Sequence, residues 1–344
     1  VVHNRIFVPG DVAEQLVIFA FDTNGRLLWR ATNGQAWLGS YPGARASCAY
    51  SEGLLFHANA HGRVACFDAT TGREIWSLNM LEAFAGREIP WGLSECLLVD
   101  GENLIITPGG QKGLMVALDK KSGKVRWVTP PIAPDDFVSH ASPILFRWAG
   151  RRIIASCSAA YGFGVDADTG KLLWAVPLRN QYDTNVATPI YHAGRIFYVT
   201  PYTQLGRQYR LRGTDSGLEA EHVWTHPVDT VTGSGVVVGG TLWIGGYRRP
   251  KWWFAIDWQS GTTLSETKEL TTGAAIYADG RLYILDETGK VALIDPTENR
   301  FQIVGQFQLP TGRVRDAWAH PVLCDGRLYL RHHDTLWCYS VRVE

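Results

Sequence analysis

Short alternating apolar runs, each stopped by an acidic residue or a glycine, set the pattern of this chain. Four stretches carry it most clearly: FDATTGREIW (67–76), LDKKSGKVRW (118–127), VDADTGKLLW (165–174) and, one residue shorter, FDTNGRLLW (21–29). The steps from Asp22 through Asp68 and Asp119 to Asp166 are 46, 51 and 47 residues. A period of about 45 residues with a single turn chemistry marks repeated supersecondary units. In each copy the Asp and Thr (or Ser) side chains suit a turn closed by hydrogen bonds to nearby amides, and the Gly takes the positive-φ position. The run after the turn ends in Trp29, Trp76, Trp127 or Trp174, so each copy is a β-hairpin whose Trp offers a large apolar face to the neighbouring unit.

A second punctuator recurs: SEGLLF (51–56), DGENLIIT (100–107), HAGRIFYV (192–199), ADGRLYIL (278–285) and CDGRLYLR (324–331). Two hairpins per unit make a four-stranded antiparallel sheet. The units fall at about 1–30, 40–80, 90–130, 137–178, 184–228, 230–270, 271–310 and 316–344; the motif is worn in the fifth, sixth and seventh. Eight such sheets predict an all-β, eight-bladed β-propeller occupying 1–344 as one domain. WD-type signatures are absent, and a sandwich would not hold the period. The final unit supplies three strands and stops without Gly-x-x-x-Trp, so the expectation is that a segment preceding Val1 closes the last blade.

With these motifs in hand, the chain resembles the pyrroloquinoline-quinone (PQQ) type β-propeller superfamily. That group includes the propeller lipoprotein of the outer-membrane β-barrel assembly machinery and, more distantly, quinoprotein alcohol dehydrogenases. The resemblance covers nearly the whole chain and speaks to fold, because the motif is a structural turn. By resemblance it also implies a periplasmic or cell-envelope location.

Composition narrows the rest. Net charge is zero, which argues against nucleic acid as the main partner. No apolar run reaches the roughly 18–20 residues of a transmembrane helix. The six cysteines (Cys48, Cys66, Cys96, Cys157, Cys324, Cys338) fall in predicted strands with no C-x-x-C pair and read as buried free thiols.

In a four-stranded blade the Asp-x-x-Thr-Gly and Asp-Gly turns share one side. The inter-blade links and the loops after second strands share the other, and candidate function lies there. Those links carry Trp37, Tyr41 and Arg45; Arg87, Trp91 and Glu95; Asp135, Asp136 and His140; Tyr182, Asp183 and Asn185; and Arg313, Arg315, Asp316, Trp318 and His320. Aromatic rings for stacking and Arg forks for carboxylates fit a protein or oligosaccharide ligand at the rim, with Tyr41, Trp91, Glu95, Asp183, Asn185, Asp316 and Trp318 as binding candidates. Glu95, His140 and His320 precede innermost strands and could hold a divalent cation such as calcium. His140 and His320 could instead move protons, with Arg45 and Arg315 neutralising an acidic substrate.

The plainer readings are that such rings wedge blades, that YRRPKWW (247–253) is a solvated loop, that His332, His333 and Asp334 make an exposed turn, and that His57 and His61 are not metal-spaced. Three functions follow: a binding platform first, a polysaccharide lyase or hydrolase second, and a PQQ dehydrogenase last. The resemblance implies for a dehydrogenase adjacent cysteines and a calcium held by Glu, Asn and Asp. Glu95, Asn185 and Asp316 can be nominated for the calcium, but no adjacent cysteines exist here, so no cofactor is firmly implied and PQQ is disfavoured.

Overall fold

The alternating runs fold as antiparallel strands throughout. A computed structural model describes residues 1–202, 205–214, 217–248, 251–310 and 316–342. It contains eight antiparallel sheets in chain order, at residues 5–35, 49–79, 98–129, 144–177, 190–226, 236–267, 273–308 and 322–340. The protein is an all-β, eight-bladed propeller. Among the described residues there is one α-helix, Met80–Ala83, started by Asn79 accepting from the Leu81 and Glu82 amides. No helix among them is long and apolar enough to cross a membrane.

Six sheets have four strands, and the first and last have three. In the first sheet the Asp22 turn joins the last two strands, as the Asp68 turn does in the second sheet, so the initial strand is the one missing. In the last sheet the Asp325–Gly326 turn joins the first two strands, so among the described residues it holds the inner three strands of a blade.

The predicted turn chemistry is what closes the outer hairpins. Asp68 Oδ1 accepts from the Thr70 amide (2.9 Å), the Thr71 amide (2.8 Å) and the Thr71 hydroxyl (3.0 Å). Asp119, Asp166 and Asp257 repeat this with Ser122, Thr169 and Ser260. The Thr71 amide, then its hydroxyl, hold the Asp68 carboxyl below its ordinary range. Just before each aspartate the pairing register slips by one residue, as between Cys66 and Phe67 and between Ala117 and Leu118. That bulge twists the outer strand and sets the Trp that follows.

The Trp then lands on the next sheet's turn. Trp29 Nε1 donates to the Ala69 carbonyl (3.2 Å), Trp76 to Lys120 (3.0 Å) and Trp127 to Ala167 (3.2 Å). Each ring covers the positive-φ glycine of that turn so closely that a Cβ on Gly72, Gly123 or Gly170 would lie 2.6, 2.9 or 2.5 Å from it. Trp224 does the same at Trp258 and Gly261. Trp174 departs from the rule: its ring packs over Gly164 of its own sheet. Between the sheets lie cores such as Phe56, Val64, Leu104, Ile106 and Val116, all 0 % exposed.

The chain divides into two compact units, residues 1–185 with 212–220, and 186–211 with 221–344. All six cysteines are free thiols, but only Cys66 and Cys157 are buried, and Cys48 and Cys96 lie just before strands rather than within them.

Candidate functional site

The links between the first five sheets bring most of the predicted candidates of the first unit together. Residues 36–48 carry Trp37, Leu38, Tyr41 and Arg45. Trp37 packs on the following link, where a Cβ on Gly92 would meet its ring at 2.9 Å. Trp91, the residue before, makes an edge contact with Tyr182 (centroids 6.3 Å apart, 90°) and a tilted one with His140 (6.5 Å). Trp37, on Gly92, and Trp91, in contact with Tyr182, thus meet on neighbouring residues of one link, and Leu38, which follows Trp37, is 61 % exposed. Tyr41 and Tyr182 are half exposed.

The backbone beneath this surface is strained at the predicted positions. Tyr41, Trp91 and Asp183 all have left-handed φ (57°, 81° and 52°) without being glycine. Bulky residues seldom adopt that region, and when they do the surroundings must hold them there. Arg45 does so for Tyr41: its Nη2 donates to the Ser40 and Tyr41 carbonyls at 2.9 and 2.7 Å, while its guanidinium lies 5.5 Å from the Trp37 ring centroid. Burial lowers its pKa, with Asp11 acting in the opposite sense. Asp183 is held by Arg179 at 3.4 Å, which also pairs with Asp135 at 3.0 Å.

The predicted proton-transfer and metal-binding groups behave differently. Glu95 is 1 % exposed, and burial raises its carboxyl to about 7 even though Thr107 donates to both oxygens, from its amide (3.0 Å) and its hydroxyl (2.7 Å). His140 is buried, and desolvation, then the charge of Arg45, lower its pKa to about 4, so its ring is neutral near pH 7. Its amide donates to the Asn185 carbonyl (3.0 Å), and its carbonyl accepts from Ser94 Oγ (3.1 Å). Asn185 is fully buried and donates from Nδ2 to the Ser158 and Ala159 carbonyls at 2.7 and 3.1 Å. The His140 backbone and the Ser94 and Asn185 side chains tie these segments to one another.

Among the described residues no three His, Cys, Asp or Glu side chains are grouped to hold a metal ion; Glu95 and His140, both in the first unit, are buried. Of the groups nominated for a quinone-linked calcium, the Glu95 oxygens accept from Thr107, and Asn185 Oδ1, the atom that would ligate the ion, accepts from Asn180 Nδ2 at 3.4 Å. In the second unit Asp316, Trp318 and His320 are exposed. Arg313 and Arg315 lie outside the described residues.

Two features escaped the sequence reading. His57 is fully buried in a closed polar network: Asn33 Nδ2 stands 2.9 Å from Nδ1, and Nε2 stands 3.3 Å from the Ala46 carbonyl. Lys120 occupies the position held by Ala69 and Ala167 in neighbouring turns, and reaches Glu52 (2.8 Å), Glu102 (3.2 Å) and the Gly101 carbonyl (2.8 Å). Its only signal was a lysine where the other well-kept repeats, at Asp22, Asp68 and Asp166, follow the aspartate with Thr or Ala.

The profile of the family described as outer membrane protein assembly factor BamB matches residues 14–253, more than half of the chain. The chain belongs to that family. BamB from Moraxella catarrhalis superposes with a TM-score of 0.66 at 13% identity, covering 96% of this chain and 95% of that one. The quinohemoprotein alcohol dehydrogenase of Comamonas testosteroni gives 0.63 at 15% identity over 96% of this chain and 69% of that one. The computationally designed Ika8 protein gives 0.67 at 11% identity, covering 98% and 97%. Identities this low carry the fold alone. In sequence, quinohemoprotein alcohol dehydrogenase ADH IIB of Pseudomonas putida is 28% identical over 154 residues, 41% of this chain. That match spans 21% of the dehydrogenase's length, so BamB-family membership, rather than this partial likeness, frames the functional reading.

Proposed function

We propose that this BamB-family chain is a non-catalytic protein-docking platform of the bacterial cell envelope, and that its contact surface is the loop patch of Leu38, Tyr41, Trp91 and Tyr182. The observation that carries this reading is the exposure of Leu38, Tyr41 and Tyr182 around half-buried Trp37 and Trp91 on links whose backbone is fixed in left-handed conformations. Aromatic and Arg side chains dominate protein interfaces, and loops already ordered lose little entropy on binding. Family membership supports the envelope setting.

The lyase or hydrolase reading asks for an imidazole base. A buried ring with a pKa of about 4 beside Arg45 is a weak base near neutrality, and its surface is closed by the links it holds. Membership of the BamB family favours protein over oligosaccharide as the partner.

The test is affinity capture from solubilised envelopes of the native host, using the wild-type chain and a Leu38→Ser/Tyr41→Ser/Tyr182→Ser variant. Specific co-purifying protein lost from a variant with an unchanged unfolding midpoint is the expected result. Equal capture by both would refute the assignment of the surface.

A further inference from the structure

A second loop cluster, confined to the second unit, places cations on aromatic rings. Tyr202 follows the strand Arg195–Val199; Tyr247, Arg248, Lys251 and Trp252 connect Thr241–Gly245 to Trp253–Asp257; and Lys268 follows Thr263–Thr267. The Arg248 guanidinium lies 4.7 Å from the Tyr202 ring centroid and 5.7 Å from that of Tyr247. Lys268 Nζ stands 4.0 Å over Trp252, and Lys251 Nζ 5.6 Å over Tyr247. Tyr202 and Tyr247 meet edge to face at 6.1 Å.

The described ends of this connection are held by hydrogen bonds. Buried Asp229 accepts from the Tyr247 and Arg248 amides through Oδ1 at 3.3 and 3.2 Å, and the Gly246 amide donates to the Trp252 carbonyl at 2.7 Å.

Lys251 is paired with buried Glu287 at 3.0 Å. Arg248 and Lys268 are exposed, and among the described residues neither is paired with a carboxylate. Exposed Glu266 and Glu269 flank Lys268 in the chain without pairing with it, which leaves Arg248 and Lys268 as the cations open to an anion.

Resting on the protein-docking reading above, we infer that this cluster receives an acidic segment of a protein partner. A sugar would need an open aromatic face, and the faces of Tyr202 and Trp252 are already covered by Arg248 and Lys268. An anionic membrane or a nucleic acid is held by runs of basic residues far longer than two. A stacked guanidinium is the group best shaped to grip a carboxylate with two parallel bonds, and stacking on Tyr202 fixes its plane before the partner arrives.

The experiment is fluorescence anisotropy with the full chain and a labelled peptide of repeating Asp-Glu-Gly-Ser, run against a Lys-Arg-Gly-Ser peptide, phosphatidylglycerol vesicles and chondroitin sulfate. Saturable binding of the acidic peptide is expected, weakened about tenfold or more by Arg248→Glu/Lys268→Glu and by raised salt. Arg248→Lys, which keeps the charge and loses the fork, should fall between. No saturable binding, affinity unchanged in the double variant, or preference for vesicles or chondroitin sulfate would overturn the inference. Both side chains are exposed, so the double variant should fold, and an unchanged unfolding midpoint checks this. Capture of envelope protein through the Leu38–Tyr182 patch is measured on the same variant. If that capture persists while the peptide fails to bind the wild type, this inference falls and the docking reading stands.

Discussion

Replacing Gly170 by Ala tests how adjacent blades of the first unit are fastened. Gly170 has φ of +73°, and a Cβ there would lie 2.5 Å from Cε3 of Trp127. Gly150 has φ of +80° and nothing within 4 Å of its Cβ position, so it is a matched control for backbone strain alone. A left-handed Ala costs about 1–2 kcal/mol, which is all that Gly150→Ala should lose. At position 170 the indole must also move by about 1 Å to reach ordinary contact. That adds about 1–3 kcal/mol of overpacking and about 0.5–1.5 kcal/mol for the weakened bond from Nε1 to the Ala167 carbonyl. Gly170→Ala should therefore cost about 3–6 kcal/mol. In a Trp127→Ala background the clash is gone, and the same substitution should cost only what Gly150→Ala does, a coupling of about 2 kcal/mol or more. Guanidinium unfolding followed by far-UV circular dichroism reads all the variants. Equal costs at 150 and 170, or zero coupling with Trp127, would refute the docking of the ring on the turn.

Three further outcomes follow from buried charge. The folded Glu95 carboxyl titrates at about 7 against an ordinary 4.5, so its stabilisation is complete below pH 4.5 and lost as pH rises through 7; relative to Glu95→Gln, the wild type should lose about 3 kcal/mol between those limits, measured by denaturant titration at each pH. His57 is shifted the other way by burial, to about 4, so its contribution is present above pH 6.5 and disappears as pH falls toward 4; the stability gap between wild type and His57→Asn should narrow by up to about 3 kcal/mol over that range, and a constant gap would contradict the neutral ring bonded to Asn33. Lys120→Met should cost only about 1–2 kcal/mol despite the buried ammonium, because Glu52 and Glu102 are exposed and regain water; a loss above about 4 kcal/mol at any salt concentration would mean that the three charges act as a buried network.

The fold was readable because its turns are written in side chains that can do little else. Asp68, Thr71 and Gly72 specify a hairpin by hydrogen bonding and φ, and Trp76 announces the contact with the next sheet. The bulge before each aspartate has no residue signature, since it is a backbone slip imposed by the twist. The left-handed conformations of Tyr41, Trp91 and Asp183 were invisible for the opposite reason: sequence reasoning assigns positive φ to glycine, whereas here tertiary bonds such as those of Arg45 hold it. The candidate site was legible as a set of loops but not as chemistry. Glu95 and His140 sit at the foreseen places, yet Thr107 closes over the carboxylate and desolvation keeps the imidazole neutral, and neither influence is local in sequence. YRRPKWW reads as a solvated loop until Tyr202 and Lys268, from elements far along the chain, are found to cover its Arg and Trp.

The central claim is that the loop patch of the first unit, and not a catalytic centre, is where this protein meets its partner. Photo-crosslinking in the native envelope tests it most directly, with a benzophenone amino acid placed in turn at Leu38, Tyr41 and Tyr182 and, as controls on exposed outer-strand positions, at Leu27 and Val125. The account predicts discrete protein adducts from the three loop positions and none from the two strand positions. No adducts from the loops, or the same adducts from all five positions, would contradict it.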